Sequence, residues 1–217
     1  MNMIYRWGYI MLYELLWECI SIPYSQVGVS ASYAVRKDGN TLYIFFESSN
    51  GKEDWKANLN FPAKPYKRMG RTVWFAHSGF LETWKEVEPF LGDVITDKSI
   101  KEIIIVGYSH GAALAMLCHE YVWYNRPELR ASLHGYGFGA PRVFWGIKTL
   151  KLAERWKNYT VIRNIDDIVT HLPPTALGYS HVGKLLEIGK SGKYSPTDAH
   201  RSANILAELR AYETTKF

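Results

Sequence analysis

The stretch Ile103-Ile104-Ile105-Val106-Gly107-Tyr108-Ser109-His110-Gly111-Ala112-Ala113 decides how the rest of the chain is read. Ile103 to Val106 is a short unbroken apolar run, the pattern of a strand buried on both faces of a sheet. Ala112 to Asn125 reads as a helix. The serine of Gly-x-Ser-x-Gly therefore stands at a strand-to-helix turn. Such a turn is sharp, neighbouring segments pass close by, and Gly107 and Gly111 carry no side chain to collide there. Ala112 and Ala113 likewise let the helix approach the sheet. The turn lifts the Ser109 hydroxyl to the carboxyl end of its strand, where α/β sheets bind ligands. It also directs the N-terminus of the following helix at any carbonyl that Ser109 attacks. The backbone N–H of His110 is then placed to donate to a developing oxyanion, with the helix dipole in support.

Outward from this turn, strands and helices alternate. Ser32 to Arg36 and Thr41 to Phe46 are β-rich runs on either side of Lys37-Asp38-Gly39-Asn40, a hairpin signal. Arg71 to Ala76 reads as a short extended piece, and Gly79 to Leu91 as a helix ending near Gly92. Ser132 to Phe138, Thr160 to Arg163 and Lys184 to Ile188 read as strands. Trp145 to Lys157 reads as a helix, and Ala199 to Tyr212 as a final helix that His200 begins. This order predicts an α/β fold with a mainly parallel sheet covered by helices on both faces. At the start of the chain, Ile10, Leu12, Leu15, Leu16 and Cys19 recur at near-helical spacing. They predict an amphipathic helix within residues 1–22, packed on the core.

Composition narrows the class. A chain of 217 residues suits one domain, 1–217, with one core, and 47% hydrophobic with 22% charged residues argues against disorder. The net charge of +5 is modest, and the cluster Lys64, Lys67, Arg68 and Arg71 is read as a solvated loop. No zinc-finger spacing or RNA-binding signature appears, so no nucleic-acid partner is expected. Cys19 and Cys118 lie in apolar helical patterns and read as buried free thiols. Glu14 and Glu18 interrupt the apolar N-terminal run, and no small-residue cleavage site follows it. It is read neither as a signal peptide nor as a membrane span, which leaves a cytoplasmic default with release by another route open.

A serine hydroxyl needs a base to take its proton. His110 is adjacent, but on such a turn its side chain should point away from Ser109. His119 and His134 fall inside a helix and a strand and read as packing or surface residues. His171, His181 and His200 remain, each in or beside a loop after a strand, with His181 read as a structural histidine hydrogen-bonded near the site. The Gly-x-Ser-x-Gly turn resembles the elbow of α/β-hydrolases, in which an acid stands between serine and histidine in chain order. Asp166 and Asp167 follow the strand Thr160 to Arg163, and spacing does not choose between them. One of the two is expected to be a turn residue. Asp198 is read as a cap of the last helix.

Several segments, in order from about Ser32 to about Ala207, are together similar to the fungal-type (class 3) lipase family. Tyr43-Ile44-Phe45-Phe46-Glu47-Ser48-Ser49 resembles the strand and loop that carry the second oxyanion donor, which the register places at Ser49. Asp54-Trp55-x-x-Asn58-Leu59-x-Phe61 resembles the segment that holds the lid, here a small one over residues 50–61. His77-Ser78-Gly79-Phe80 with Trp84, the elbow Gly107 to Gly111, and Phe138-Gly139-Ala140-Pro141-Arg142-Val143 follow in family order. Asp167-Ile168-Val169-Thr170-His171-Leu172-Pro173-Pro174 resembles the acid motif, in which the aspartate directly before Ile-Val is catalytic, and so selects Asp167. Gly178-Tyr179-Ser180-His181-Val182-Gly183 matches a non-catalytic stretch. Asp198-Ala199-His200 resembles the region of the catalytic histidine. One departure stands out: Glu47-Ser48 occupies the place where the family commonly has Arg-Gly.

The resemblance implies an α/β-hydrolase with the triad Ser109, Asp167 and His200 and oxyanion donors Ser49 and His110. It implies ester hydrolysis through an acyl-enzyme, on acylglycerols or related lipid esters, with neither a metal nor a cofactor. A peripheral contact with a lipid surface accompanies that expectation. A phospholipase or thioesterase with the same triad, and a non-catalytic binding protein of the same fold, are the alternatives.

Overall fold

Strand β8 (Glu102–Tyr108) lies at the centre of the main sheet because its side chains are apolar in both directions. Ile103 and Ile105 enter one core, Ile104 and Val106 the other, and all four are fully buried. The structure is a computed structural model and describes residues 5–6, 9–27, 31–47, 62–68, 71–146 and 154–216. On one side of β8 lies β5 (Thr41–Phe46), then β4 (Ala31–Asp38) and β3 (Ser25–Val27). On the other side lie β9 (Leu133–Phe138), β11 (Tyr159–Asn164) and β13 (Lys184–Ile188). Pairing is parallel from β5 through β13 and antiparallel at the β3–β4–β5 edge. This is the α/β fold expected from the alternation.

Helices cover both faces. One face carries α2 (Ser78–Thr96) and α3 (His110–Asn125), packed over Leu42, Ile44, Phe46, Ile103 and Ile105. Every residue of α3 from His110 to Glu120 is buried, so this helix has no solvent stripe over its first three turns. The opposite face carries α1 (Leu12–Ser21) and α4 (Ser202–Thr214), whose Leu15, Leu16, Ile205 and Leu209 cover Tyr43, Phe45, Ile104 and Val106. The two helices are tied together because Glu213 of α4 accepts the Leu12 N–H of α1 at 2.6 Å. A second small sheet holds β6 (Ala63–Arg68), β7 (Arg71–His77), β10 (Phe144–Trp145) and β12 (Tyr179–Ser180).

Several boundaries differ from expectation. The N-terminal helix does not fill residues 1–22. Strands β1 (Tyr5–Arg6) and β2 (Tyr9–Ile10) pair antiparallel, and the helix begins at Leu12. Tyr5, Tyr9 and Ile10 are β-prone, which favours the paired strands over a helix at these positions. Trp145 starts no helix: it is paired with Phe75 and Tyr179 in the small sheet, and 147–153 of the expected helix lie outside the described residues. Helix α2 runs past Gly92 to Thr96 because the apolar spacing continues to Ile95, which is fully buried. The basic cluster is no loop. Lys64 and Lys67 lie on β6, and Arg68 and Arg71 stand where β6 ends and β7 begins. Cys19 and Cys118 are buried free thiols.

His119 on α3 is fully buried, stacked on Trp156 at 4.8 Å and edge-on to Tyr159 at 5.3 Å. Neither ring nitrogen has a hydrogen-bond partner among the described residues. Burial pushes its pKa down to about 3. The unfolded chain protonates this imidazole near the ordinary value of 6.5 and the folded chain does not. Its contribution to stability is therefore complete above that pH and is lost as pH falls from there towards about 3. The slope reaches about 1.4 kcal/mol per pH unit. His119→Phe should flatten the fall of Tm between about pH 6 and 5, above the ordinary carboxylate range. An unchanged slope would contradict this assignment.

Candidate active site

The turn after β8 brings three chain segments into hydrogen-bond range. Ser109 has φ +57° and ψ −121°, and it is the one non-glycine with positive φ among the described residues. An L-residue holds such a conformation only when its surroundings enforce it. Here the Ser109 N–H donates to Phe138 O at 2.9 Å, and the Ala112 N–H donates to Ser109 O at 3.0 Å. The two elbow glycines are steric requirements. A Cβ on Gly107 would lie 2.2 Å from Gly111 O, and one on Gly111 would lie 2.2 Å from Phe46 O. His110 opens α3, so its backbone N–H belongs to the first turn, where helices leave donors without an intrahelical acceptor. Its ring is buried against Phe80, with centroids 5.5 Å apart.

Asp167 comes from the turn that follows β11. Its N–H donates to Asn164 O at 2.9 Å, and its carbonyl accepts the Thr170 hydroxyl at 2.8 Å. The carboxylate is fully buried, and Oδ1 accepts the Val169 N–H at 2.9 Å. The Arg142 guanidinium holds the next stretch by donating to the carbonyls of His171 and Pro173, the latter at 2.9 Å. Asp166 plays a different part: its carboxylate accepts the Ser191 hydroxyl at 3.0 Å and the Gly192 N–H at 2.6 Å, a loop tie.

His200 completes the contact. Its Nδ1 lies 2.8 Å from Asp167 Oδ2, and its Nε2 lies 2.8 Å from Ser109 Oγ. An ionised carboxylate only accepts, so Nδ1 carries the proton and Nε2 presents its lone pair to the serine O–H. Ser109 is 2% exposed, Asp167 0%, and the His200 side chain 14%. The arrangement is thus closed at the acid end and open to solvent at the imidazole. His200 does not begin the final helix: it lies in the turn before α4, which starts at Ser202. Asp198 does not cap that helix either. Its carboxylate is engaged by the Ser195 hydroxyl at 2.7 Å and by Arg201 at 3.0 Å.

The other histidines lie elsewhere. His171 is exposed at the end of a short 3-10 turn. His181 donates from Nε2 to Thr170 O at 2.7 Å, and burial lowers its pKa to about 4, partly opposed by that bond. His134 is half-buried, 3.9 Å from Glu102. Ser49 and the segment 50–61 lie outside the described residues. One contributor was missed in the sequence. Gly139, at the end of β9 with φ +57°, donates its N–H to Ile162 O at 2.9 Å. A Cβ there would lie 2.9 Å from His200 Cε1 and 3.0 Å from Asp167 Oδ2. The signal was available in Phe138-Gly139-Ala140-Pro141, a glycine directly after the strand beside the elbow.

The family model described as Lipase (class 3) matches residues 43–177, which include Ser109 and Asp167. The chain belongs to the class 3 lipase family. A lipase of Rhizomucor miehei is 32% identical over 149 residues, covering 66% of this chain and 40% of that protein. The secreted mono- and diacylglycerol lipase 1 of Fusarium solani is 25% identical, covering 74% of this chain and 48% of that protein. The chain thus spans less than half the length of either relative. The structure of the Rhizomucor miehei triacylglyceride lipase superposes with a TM-score of 0.63 at 27% identity, covering 78% of this chain and 66% of that one. A fungal lipase–inhibitor complex superposes with a TM-score of 0.68 at 23% identity, covering 82% and 78%, and shows the fold alone. The fold is that of the α/β-hydrolases.

Gly139→Ala should cut the labelling rate of Ser109 by a fluorophosphonate at least about a hundredfold, since misplacement by about 1 Å costs that much. The added methyl drives the imidazole off both partners. Labelling at the original rate would show that the space beside His200 is not limiting.

Proposed function

We propose that this protein is a serine-dependent carboxylic ester hydrolase acting on lipid esters, acylglycerols first among them. The observation that carries the reading is one imidazole standing 2.8 Å from both a serine hydroxyl and a buried carboxylate. Membership of the class 3 lipase family and the names of the relatives supply the substrate class. Ser109 Oγ attacks the ester carbonyl while His200 Nε2 takes its proton. Asp167 keeps Nδ1 protonated and stabilises the imidazolium that forms. The tetrahedral oxyanion is held by the His110 N–H, aided by the dipole of a sixteen-residue helix. Ser49, placed by its sequence register, supplies the second donor. His200 then protonates the leaving alcohol, and water attacks the acyl-enzyme by the same route in reverse.

The domain reading is a single hydrolase domain over residues 1–217 with a small lid at 50–61. Lys52, Glu53, Asp54 and Lys56 make that lid polar, while Trp55, Leu59 and Phe61 give it a small apolar face. The chain makes a peripheral contact with lipid surfaces. Among the described residues no helix is long and apolar enough to cross a membrane. The Fusarium solani relative is named as secreted, which favours release from the cell over a cytoplasmic location.

The test is a panel of soluble short-chain esters, emulsified acylglycerols, phospholipids and thioesters, assayed with wild type and Ser109→Ala. Wild type should hydrolyse acylglycerols, and Ser109→Ala should lose at least about 10⁴-fold in kcat with its Tm preserved, as triad members act as a unit. Hydrolysis by the variant at the wild-type rate would remove Ser109 from the mechanism. Turnover of phospholipid or thioester alone would keep the mechanism and replace the substrate.

A further inference from the structure

The elbow geometry accounts for the small residues around Ser109 but not for the large one before it. Tyr108 donates its phenol O–H to the backbone carbonyl of His200 at 2.7 Å. Its ring lies nearly parallel to the His200 imidazole, with centroids 5.4 Å apart and planes 24° apart. Burial and the Asp167 charge raise the phenol pKa to about 12, so it stays a donor. On the other side of the turn, Asn164 is 1% exposed and donates from Nδ2 to the Ala199 carbonyl at 3.0 Å. Its own backbone carbonyl accepts the Asp167 N–H.

We propose that Tyr108 is a positioning residue which, together with Asn164, clamps the two peptide groups on either side of His200 and fixes the orientation of the imidazole. The inference rests on the serine hydrolase reading given above. The need for a clamp follows from where His200 lies. The segment 189–201 between β13 and α4 has no strand or helix of its own to fix the backbone. The imidazole must nevertheless meet two partners at once, with one side open to solvent. Tyr108 adjoins the nucleophile, so its hydrogen bond ties the base to the elbow directly. Asn164 ties the same turn to the acid. The stacked ring restricts rotation of the imidazole about its Cβ–Cγ bond. None of these groups reaches the reacting atoms; they act through His200.

Tyr108→Phe keeps the ring and removes the hydroxyl. With a soluble ester, kcat should fall about tenfold with KM within about twofold of wild type, the pattern of lost alignment and not of lost binding. Tyr108→Leu removes the stack as well and should cost about a hundredfold. The low-field proton signal of the His200 Nδ1–H bond to Asp167 should exchange faster with water in both variants, at a temperature where each is folded. Tyr108→Phe with wild-type kcat and an unchanged proton signal would overturn the inference. So would an activity loss that follows the Tm and vanishes on cooling, which marks a merely structural role. If the wild type hydrolyses no ester, the hydrolase reading fails, and the proton signal still reports whether Tyr108 holds the imidazole.

Discussion

A carboxylate taken wholly out of water is stable only when its oxygens are hydrogen-bonded, and leaving its charge uncompensated costs several kcal/mol. Asp167 meets this condition with one backbone N–H and one imidazole N–H. The second of these bonds has a chemical consequence. By holding the proton on Nδ1, the buried acid makes Nε2 the basic nitrogen and turns it towards Ser109. The tautomer, the direction of the ring and the readiness of the serine all follow from that one buried pair. Because Asp167 is sealed from solvent, water does not compete for the bond.

The sheet delivers these groups without placing any of them inside a strand. Ser109 follows β8, Gly139 follows β9 and Asp167 follows β11, three adjacent parallel strands read at their carboxyl ends. Parallel pairing makes the three ends coincide, so turns that are distant in sequence become neighbours. Two glycines then set how closely the parts approach. Gly107 lets the elbow fold onto the start of α3, and Gly139 leaves room for the imidazole and carboxylate to meet. His200 alone comes from a long turn, and the side chains of Tyr108 and Asn164 donate hydrogen bonds to the His200 and Ala199 carbonyls.

What was legible in the sequence had local causes. The elbow could be read because its steric demands are met by residues within five positions, and β8 because both of its faces are apolar. The hairpin between β4 and β5 carried its own turn signal. The misreadings have non-local causes. Trp145 sits in a stretch of helical spacing, but its partners Phe75 and Tyr179 lie far away in the chain and draw it into a strand. Gly92 looks like a helix end, yet it faces α3, where a Cβ on it would lie 4.0 Å from the Tyr121 hydroxyl, and the helix continues. Ala199 and His200 read as helical, but their carbonyls are held by Asn164 and Tyr108, and the helix starts at Ser202, three residues after Ala199. The triad followed the same division. Ser109 was read from local spelling, whereas choosing Asp167 over Asp166 and His200 over His171 and His181 needed the resemblance to the class 3 lipases.

The family match spans residues 43–177, and the chain covers less than half the length of either curated relative. Two sequence features set this chain apart within the proposed reading: Glu47-Ser48 precedes Ser49, the proposed second oxyanion donor, and the segment 50–61 proposed as a lid is short and polar. The central proposal is that Ser109 Oγ is the nucleophile that accepts the acyl group. The direct measurement is mass spectrometry of protein quenched in acid during turnover of a slowly deacylating ester. The account predicts a mass increase of one acyl group on the peptide containing Ser109. An acyl group carried by any other residue, or none trapped while the ester is being consumed, would contradict it.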